Sequence, residues 1–420
     1  MFDRILKTAT LRQSTVTLIG TIINGILGAL FYVVLARLLG PANFGLLTIA
    51  LTTLVLIADV ADIGTNTGLV RFVSSNLKTN SEKAYQFLKL SLEIKLVAWV
   101  LSFLIIFLLA PLLATQVFHK EELILPLRLV AFGIGGALFF SFATSVLQAY
   151  QKYFLWSLIN ILTNSLRLIL IFILGYLLVL NVENSLIIYI LLPFFGFFIT
   201  LFILPIKKIL TSRNELNLSS EFFKYNIPVA IFAAIAAFSG RLDIYLNAAL
   251  LSTKDVGIYG VATQLVQVMP QLVSALGLVS APKFASFQNN KDMLVYFKKL
   301  QLLVVGLSIA GILMIPIAIY LIPIILPQYQ EAIMPFIILF IAMLVFLFSI
   351  PVHHSVIFYF GRPDVFIWVS IGHLLIIGGL GYFMIQSFGV VGASLTVLIG
   401  MIFNFLYPSI WLLFRLRKSK

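Results

Sequence analysis

Residues 333–357 read IMPFIILFIAMLVFLFSIPVHHSVI, a run of 25 residues with no Asp, Glu, Lys or Arg. A bilayer core about 30 Å thick is crossed by a helix of about 20 apolar residues, since each residue rises about 1.5 Å. This stretch therefore predicts a transmembrane helix, and similar stretches recur along the chain.

The composition of the whole chain agrees with a membrane protein. Of its 420 residues, 61% are apolar and 10% are charged, and the mean hydropathy is +1.10. A soluble domain is about 45–50% apolar and about 25% charged, because it needs a polar surface. This excludes a soluble enzyme, a disordered chain and a disulfide scaffold. In so apolar a chain, the formal charge of +13 indicates membrane topology and no nucleic-acid partner.

Twelve segments are apolar and long enough to cross a bilayer. None shows the alternation of a transmembrane β-strand, so we expect an all-α integral membrane protein with twelve transmembrane helices. The predicted spans, numbered one to twelve, are 14–36, 45–70, 88–113, 126–149, 157–180, 185–206, 225–249, 257–281, 299–325, 333–357, 365–386 and 391–413.

The positions of Lys and Arg predict the orientation. With the N-terminus inside, 22 of the 28 basic residues, Lys95 among them, fall in cytoplasmic segments and four in external ones. Only Arg167 and Arg241 are then left within the membrane. Eleven or thirteen spans would destroy this contrast. We expect a multi-pass protein of the cytoplasmic (inner) membrane with both termini in the cytoplasm, and no cleaved signal peptide.

The chain contains an internal repeat. Residues 38–45 read LLGPANFG and residues 250–257 read LLSTKDVG, at an offset of 212 that also relates Trp156 to Trp368. Coincidence is the alternative, because Leu and Gly are common here. Six spans per half give both halves the same orientation, which predicts a parallel repeat of two six-helix lobes, 1–206 and 207–420.

Polar residues recur on single faces of several spans, and such faces avoid lipid. On faces made of Ser and Thr alone, hydrogen bonding and packing between helices is an equally good explanation. Three Gln in register are harder to explain that way. We expect a wet cavity between the lobes. The polar positions are Ser14 and Asn24 in span one, Asn66 in span two, Ser141 in span four, Asn164 in span five, and Gln264, Gln267 and Gln271 in span eight.

Five charged residues lie at membrane depth, where each costs about 2.5–3.5 kcal/mol on insertion scales. They are Asp59 and Asp62 in span two, Arg167 in span five, and Arg241 and Asp243 in span seven. Structural ion pairing is one interpretation, for instance between Arg167 and an acid of span two. The other is that the cations hold an anionic substrate while the acids pair with them or carry a coupling proton.

The sequence shows no catalytic apparatus. Its longest loops are shorter than about 20 residues, and it has neither a phosphate-binding Gly-Lys-Ser/Thr loop nor metal-ligand spacing of Cys and His. We therefore expect a protein that is not an enzyme and has no resident cofactor or metal.

Three stretches resemble polysaccharide flippases of the multidrug/oligosaccharidyl-lipid/polysaccharide exporter superfamily. ARLLGPANFG at 36–45 resembles their first external loop, and DIGTNTGLVRFV at 62–73 resembles the end of their second span. KDVGIY at 254–259 resembles the turn that opens their second lobe. Length, span count and parallel repeat agree with that family over the whole chain.

The resemblance implies two six-helix lobes arranged in a V around a cationic cavity, working by alternating access. It implies as cargo an oligosaccharide on a polyprenyl pyrophosphate, moved to the outer leaflet for O-antigen, capsule or exopolysaccharide assembly. Polysaccharide polymerase and glycosyltransferases are the implied partners. On this reading the arginines attract pyrophosphate or acidic sugars, the acids serve H⁺ or Na⁺ coupling or ion pairing, and the amides bind sugars. The arginines are Arg71, Arg167 and Arg241, the acids Asp59, Asp62 and Asp243, and the amides Gln264, Gln267, Gln271, Asn24 and Asn164.

Two departures from related proteins bear on the cargo. Peptidoglycan-precursor flippases carry two further spans, and drug exporters of the superfamily typically carry an acid in span one, which this chain lacks. The alternatives are a cation-coupled small-molecule or drug exporter and an integral-membrane glycosyltransferase or polymerase. The external stretch 114–125 leaves little room for the active site of such an enzyme.

Overall fold

The computed structural model describes residues 9–77, 79–212 and 216–418, without the side chains at 9–16, 18, 216–217, 275, 278 and 418. The predictions for the side chain of Ser14 and for both chain ends therefore fall outside what the structure describes. Within them the regular structure is helical. The α-helices are α1 Ala9–Ala61, α2 Thr65–Asn76, α3 Ser81–Leu112, α4 Ile124–Ala149, α5 Tyr153–Tyr176, α6 Val182–Leu201, α7 Ile206–Thr211, α8 Leu216–Ser239, α9 Leu242–Leu250, α10 Thr253–Val266, α11 Val268–Ala285, α12 Asn290–Ile325, α13 Ile333–His354, α14 Val365–Leu375 and α15 Gly381–Lys418.

The described residues form ten helical runs long and apolar enough to span a membrane. Two of the ten contain two predicted spans each. The run Ile19–Ala61 is broken at Gly40, and the run Val365–Arg417 is broken at Gly389. Both glycines have a positive φ, 73° and 56°, which ends one helix and starts the next. The twelve-helix, all-α membrane fold predicted from the sequence is therefore confirmed.

Three predicted spans, expected to be continuous helices, are interrupted. Span two changes from α1 to α2 at residues 62–64, and span seven changes from α8 to α9 at residues 240–241. Span eight changes from α10 to α11 at Gln267. The N–H of Gln267 donates to the carbonyl of Gln264 at 3.3 Å, three residues back instead of the four of a regular α-helix. Non-helical backbone at membrane depth is tolerated where protein buries it or where it lines a cavity.

The described residues divide into two compact units. Unit 1 holds the residues up to Leu39 together with Leu46–Phe238, and unit 2 holds Gly40–Gly45 and the residues from Ser239 onward. The division thus falls at the start of the interruption in span seven. It comes later than the lobe boundary predicted after residue 206, because α8 packs within unit 1.

An aromatic cluster explains why α8 belongs to unit 1. The rings of Phe72 on α2 and Phe87 on α3 stack with centroids 4.7 Å apart, and Phe222 of α8 lies 5.8 Å from each. Phe87 and Phe222 are fully buried. Large aromatic side chains dominate the free energy of such cores, so this cluster ties α2, α3 and α8 into one body.

The two copies of the repeated stretch contact each other within unit 2. A Cβ added to Gly45 would overlap the backbone carbonyl of Thr253, and a Cβ added to Gly257 would overlap that of Pro41. The offset of 212 residues relates Gly45 to Gly257 and Pro41 to Thr253. The contact is therefore reciprocal, as the predicted parallel repeat requires, and each position needs glycine for close backbone approach.

Candidate functional site

The break in span two lies where its polar face was predicted. Helix α1 ends at Ala61, and Ile63 and Gly64 follow with φ values of 51° and 69°. A β-branched residue in the left-handed region is strained, at a cost of about 1–3 kcal/mol, so the surrounding structure must hold it there. The strain marks this turn as a candidate functional feature.

Asp62 holds the break together by capping α2. Its carbonyl accepts the N–H of Thr65 at 2.9 Å, and its carboxylate accepts the Thr65 hydroxyl at 2.9 Å and the N–H of Asn66 at 3.3 Å. A carboxylate at a helix N-terminus satisfies free N–H groups and complements the helix dipole. The new helix can therefore start inside the membrane with the N–H groups of Thr65 and Asn66 paired to Asp62.

The ion-pair partner of Asp62 is Lys95 of α3. The Lys95 side chain is 0% exposed and that of Asp62 is 15% exposed, and the ammonium also donates to the Ser141 hydroxyl at 3.1 Å. Assigning Lys95 to the cytoplasmic topology signal was wrong, because it lies seven residues inside predicted span three and is buried. The pairing of Arg167 with Asp62, considered from the sequence, is likewise replaced by the pairing with Lys95.

A cavity of about 360 Å³, here called the unit 1 cavity, opens beside this ion pair. Helices α1, α2, α4, α5 and α6 all contribute to its wall. Its lining residues are Leu54, Val55, Ala58, Asp59, Asp62, Asn66, Gly133, Ala137, Leu138, Phe140, Ser141, Thr144, Asn160, Arg167, Tyr189 and Pro193. Among them are Asp59, Asp62 and Arg167, which the sequence singled out as charged residues at membrane depth.

Arg167 is held in place by aromatic rings and amides. Its guanidinium carbon lies 4.0 Å from the ring centroid of Tyr189 and 5.5 Å from that of Phe31, within the range of cation–π attraction. It donates to Asn164 Oδ1 at 3.2 Å, and Asn164 Nδ2 donates to Asn24 Oδ1 at 3.1 Å. The two asparagines predicted for this site thus meet and orient the arginine, whose Nε is buried without a hydrogen-bond partner.

Arg71 lies outside the unit 1 cavity. It is exposed on α2, with its guanidinium carbon 4.3 Å from the ring centroid of Tyr225. One turn earlier, Gly68 packs so tightly on Asn226 that a Cβ there would overlap the amide. Asn226 is 1% exposed, and neither of its amide atoms has a hydrogen-bond partner.

The remaining predicted charges lie in unit 2. Arg241 precedes the first turn of α9, where the break separates it from α8, and Asp243 accepts a hydrogen bond of 2.5 Å from the Tyr259 hydroxyl. Asn247 Nδ2 donates to the Asp243 carbonyl at 2.8 Å. Among the described residues of the chain, no three His, Asp or Glu side chains converge to hold a metal ion.

The three glutamines differ in exposure. Gln264 is half-buried, whereas Gln267 and Gln271 are exposed. Because the helix is interrupted at Gln267, the assumption of one continuous helical face does not hold across it. Their role in sugar binding stays a prediction.

Sequence reasoning missed two residues of this site. Lys95 carried a usable signal, since a Lys inside an apolar span needs a partner or a water-filled cavity. Tyr189 carried none, because an aromatic residue in span six is equally suited to lipid contact or packing.

Solved structures with this fold include three transporters of one superfamily. The first is an inward-facing multidrug-resistance transporter of the MATE family of the MOP superfamily (14% identity, TM-score 0.75, 94% of this chain and 96% of that one). The second is the lipid II flippase MurJ in an inward closed conformation (16% identity, TM-score 0.73, 94% of this chain and 86% of that one). The third is a MOP-superfamily transporter from Pyrococcus furiosus, described as having a binding pocket of reverse polarity (16% identity, TM-score 0.63, 97% of this chain and 95% of that one).

At these identities the likeness shows the fold alone, and the three proteins are transporters and flippases. The sequence matches none of the curated proteins with which it was compared. The family model described as polysaccharide biosynthesis protein matches residues 10–288, well over half of the 420-residue chain. The resemblance drawn from the sequence motifs is thereby confirmed. The chain belongs to the polysaccharide biosynthesis protein family and has the multi-pass membrane fold of the MOP superfamily.

Proposed function

We propose that the chain is a flippase for a polyprenyl-pyrophosphate-linked oligosaccharide. It moves this cargo from the cytoplasmic to the outer leaflet by alternating access, for the assembly of O-antigen, capsule or exopolysaccharide. The observation that carries the proposal is the family match over residues 10–288. In the structure it is supported by a polar cavity at membrane depth, because a glycan head needs such a route through the apolar core.

The remaining parts of the proposal concern location and driving force. Both termini face the cytoplasm, and the protein resides in the cytoplasmic membrane beside the glycosyltransferases and the polymerase that supply and use its cargo. H⁺ or Na⁺ drives the cycle. Asp59, Asp62 and Asp243 are the candidate coupling or ion-pairing acids, and Asp62 pairs with Lys95.

A drug exporter of the same superfamily is the second candidate. It is favoured by the two acids, Asp59 and Asp62, that line the unit 1 cavity. Carboxylates in a low-dielectric cavity attract cationic compounds.

Reconstitution into liposomes tests the proposal. Purified protein is incorporated with a fluorescent polyprenyl-pyrophosphate oligosaccharide, and leaflet exchange is followed by quenching from outside. We expect the wild type to exchange the lipid and Arg167→Ala to lose at least about tenfold in rate, since a charge-assisted hydrogen bond contributes about 1.5–3 kcal/mol.

Arg128→Ala is the matched control. Arg128 also lies over an aromatic ring, 5.0 Å from the centroid of Phe107, but it is exposed and outside the unit 1 cavity. It should exchange the lipid at the wild-type rate. No lipid exchange by the wild type, together with robust export of cationic dyes, would reject the flippase in favour of the exporter.

A further inference from the structure

The unit 1 cavity is too small for the whole proposed cargo. Its volume of about 360 Å³ lies at the low end of the range of about 300–1,000 Å³ typical of small-ligand pockets. A lipid-linked oligosaccharide with its pyrophosphate is far larger. The cavity therefore accommodates one part of that cargo, and its lining indicates which part.

The charges around the cavity balance. Asp59, Asp62 and Arg167 line it, and Lys95 pairs with Asp62 behind the wall. The formal charges of these four side chains cancel, so they provide no excess positive potential. A pyrophosphate placed here would meet no net positive charge to offset the cost of removing its charges from water. The cavity is thus suited to an uncharged polar group.

Two buried polar atoms on cavity-lining residues lack hydrogen-bond partners. Arg167 Nε is a donor and Asn66 Oδ1 is an acceptor. Leaving such atoms unpaired costs about 1–3 kcal/mol each, so a ligand that pairs with both binds favourably. Phosphate and carboxylate groups accept hydrogen bonds but do not donate them. A sugar hydroxyl does both.

Further acceptor oxygens and two aromatic rings complete the lining. Asn160 lines the cavity, and its Nδ2 donates to the Trp156 carbonyl at 2.8 Å while its Oδ1 is a hydrogen-bond acceptor. Phe140 and Tyr189 supply apolar ring surface against which the C–H face of a sugar can pack. Arg167 is fixed in advance by its contacts to Asn164 and Tyr189, so little side-chain entropy is lost on binding.

We infer that the unit 1 cavity is a subsite for one neutral sugar ring of the cargo, recognised through its hydroxyl groups by Asn66 and Arg167 and through its C–H face by Tyr189. This inference rests on the proposed function, because it assigns a part of that cargo to this cavity. It also assigns the pyrophosphate to a place outside the cavity, with Arg71 and Arg241 as the remaining candidate arginines.

The chain contains no Cys, so one introduced thiol reports on the cavity alone. In Thr144→Cys the thiol replaces a cavity-lining hydroxyl, and in Ser74→Cys it lies on the exposed surface of α2. Both variants are treated in detergent with a small methanethiosulfonate reagent. The probes are neutral hexoses and N-acetylhexosamines, the corresponding uronic acids, and inorganic pyrophosphate.

We expect at least one neutral sugar to slow the labelling of Thr144→Cys by about tenfold at a concentration about ten times its Kd, because the free fraction falls as 1/(1 + [L]/Kd). The labelling of Ser74→Cys should not change. Adding Asn66→Leu should weaken protection by about tenfold, the loss expected for one hydrogen bond to a buried group. Pyrophosphate should give no protection.

Protection by pyrophosphate equal to that of the neutral sugars would overturn the inference, and so would the absence of protection by every neutral sugar. Liposome exchange separates this result from the proposed function. Lipid exchange without sugar protection rejects the subsite alone, whereas protection by cationic dyes without lipid exchange rejects the flippase.

Discussion

The buried ion pair between Lys95 and Asp62 gives the sharpest prediction for stability. Lys95→Met keeps the length of the side chain and removes its charge, whereas Asp62→Asn keeps the shape of the acid and removes its charge. Each single change leaves the other charge within the membrane without its partner. The double variant removes both charges.

The structure ranks the three variants. Breaking a buried ion pair by removing one partner costs about 3–5 kcal/mol, whereas replacing both partners is often neutral. After Lys95→Met, the carboxylate of Asp62 keeps its 15% exposure and its bonds from Thr65 and Asn66, so we expect a loss near 3 kcal/mol. After Asp62→Asn, the fully buried ammonium of Lys95 loses its counter-ion and keeps only neutral acceptors, the Ser141 hydroxyl and the introduced amide oxygen, so we expect a loss near 5 kcal/mol.

The assay is the thermal midpoint at which purified protein in detergent loses its monodisperse peak on size exclusion. The expected order is wild type and double variant highest, Lys95→Met lower and Asp62→Asn lowest. Lys254→Met is the matched control, since Lys254 pairs with Glu331 at 2.7 Å on the exposed surface, where ion pairs contribute little. A double variant less stable than both single variants would refute the ion pair, because independent residues give additive losses.

Three further predictions concern positions away from this ion pair. Gly45→Ala should lower the free energy of unfolding by about 1–3 kcal/mol through overpacking. Gly25→Ala, where nothing lies within 4 Å of the added Cβ, should not lower it, because Ala favours the helix more than Gly does. Thermal midpoints measure both variants, and equal midpoints would contradict the reciprocal glycine contact. Asn226→Leu should raise the thermal midpoint, because it replaces a buried amide without partners, and a lowered midpoint would show that the amide is paired. Glu331 raises the pKa of Lys254. The small stabilisation from this pair should therefore be present below the pKa of Lys254 in the unfolded state and disappear as the pH rises through its pKa in the folded state. The difference in thermal midpoint between wild type and Lys254→Met, measured at increasing pH, tests this prediction, and a difference that grows with pH would contradict it.

The sequence was sufficient for the architecture. Apolar segments of about 20 residues have one stable solution in a bilayer, so the twelve helices followed from length and charge alone. The repeat at an offset of 212 identified Gly45 and Gly257, which the structure brings into reciprocal contact. Helical periodicity grouped Asp59, Asp62 and Asn66, and all three line the unit 1 cavity although the helix is interrupted between them at residues 62–64.

The partners of these residues could not be predicted. Periodicity tells which face of a helix is polar, but not which helix lies opposite, so Lys95 was not identified as the partner of Asp62. The break at residues 62–64 was also hidden, because Ile63 is a residue type that disfavours the positive φ found there. It is held by the local Asp62 cap and by tertiary contacts such as the packing of Gly68 on Asn226.

The exchange rate of a fluorescent polyprenyl-pyrophosphate oligosaccharide in liposomes tests the central claim most directly, with wild type, Arg167→Ala and Arg128→Ala compared side by side. The account predicts exchange by the wild type and by Arg128→Ala, and a rate lower by at least about tenfold for Arg167→Ala. Equal rates for all three proteins would show that the unit 1 cavity does not carry the cargo, and no exchange by any of them would contradict the flippase itself.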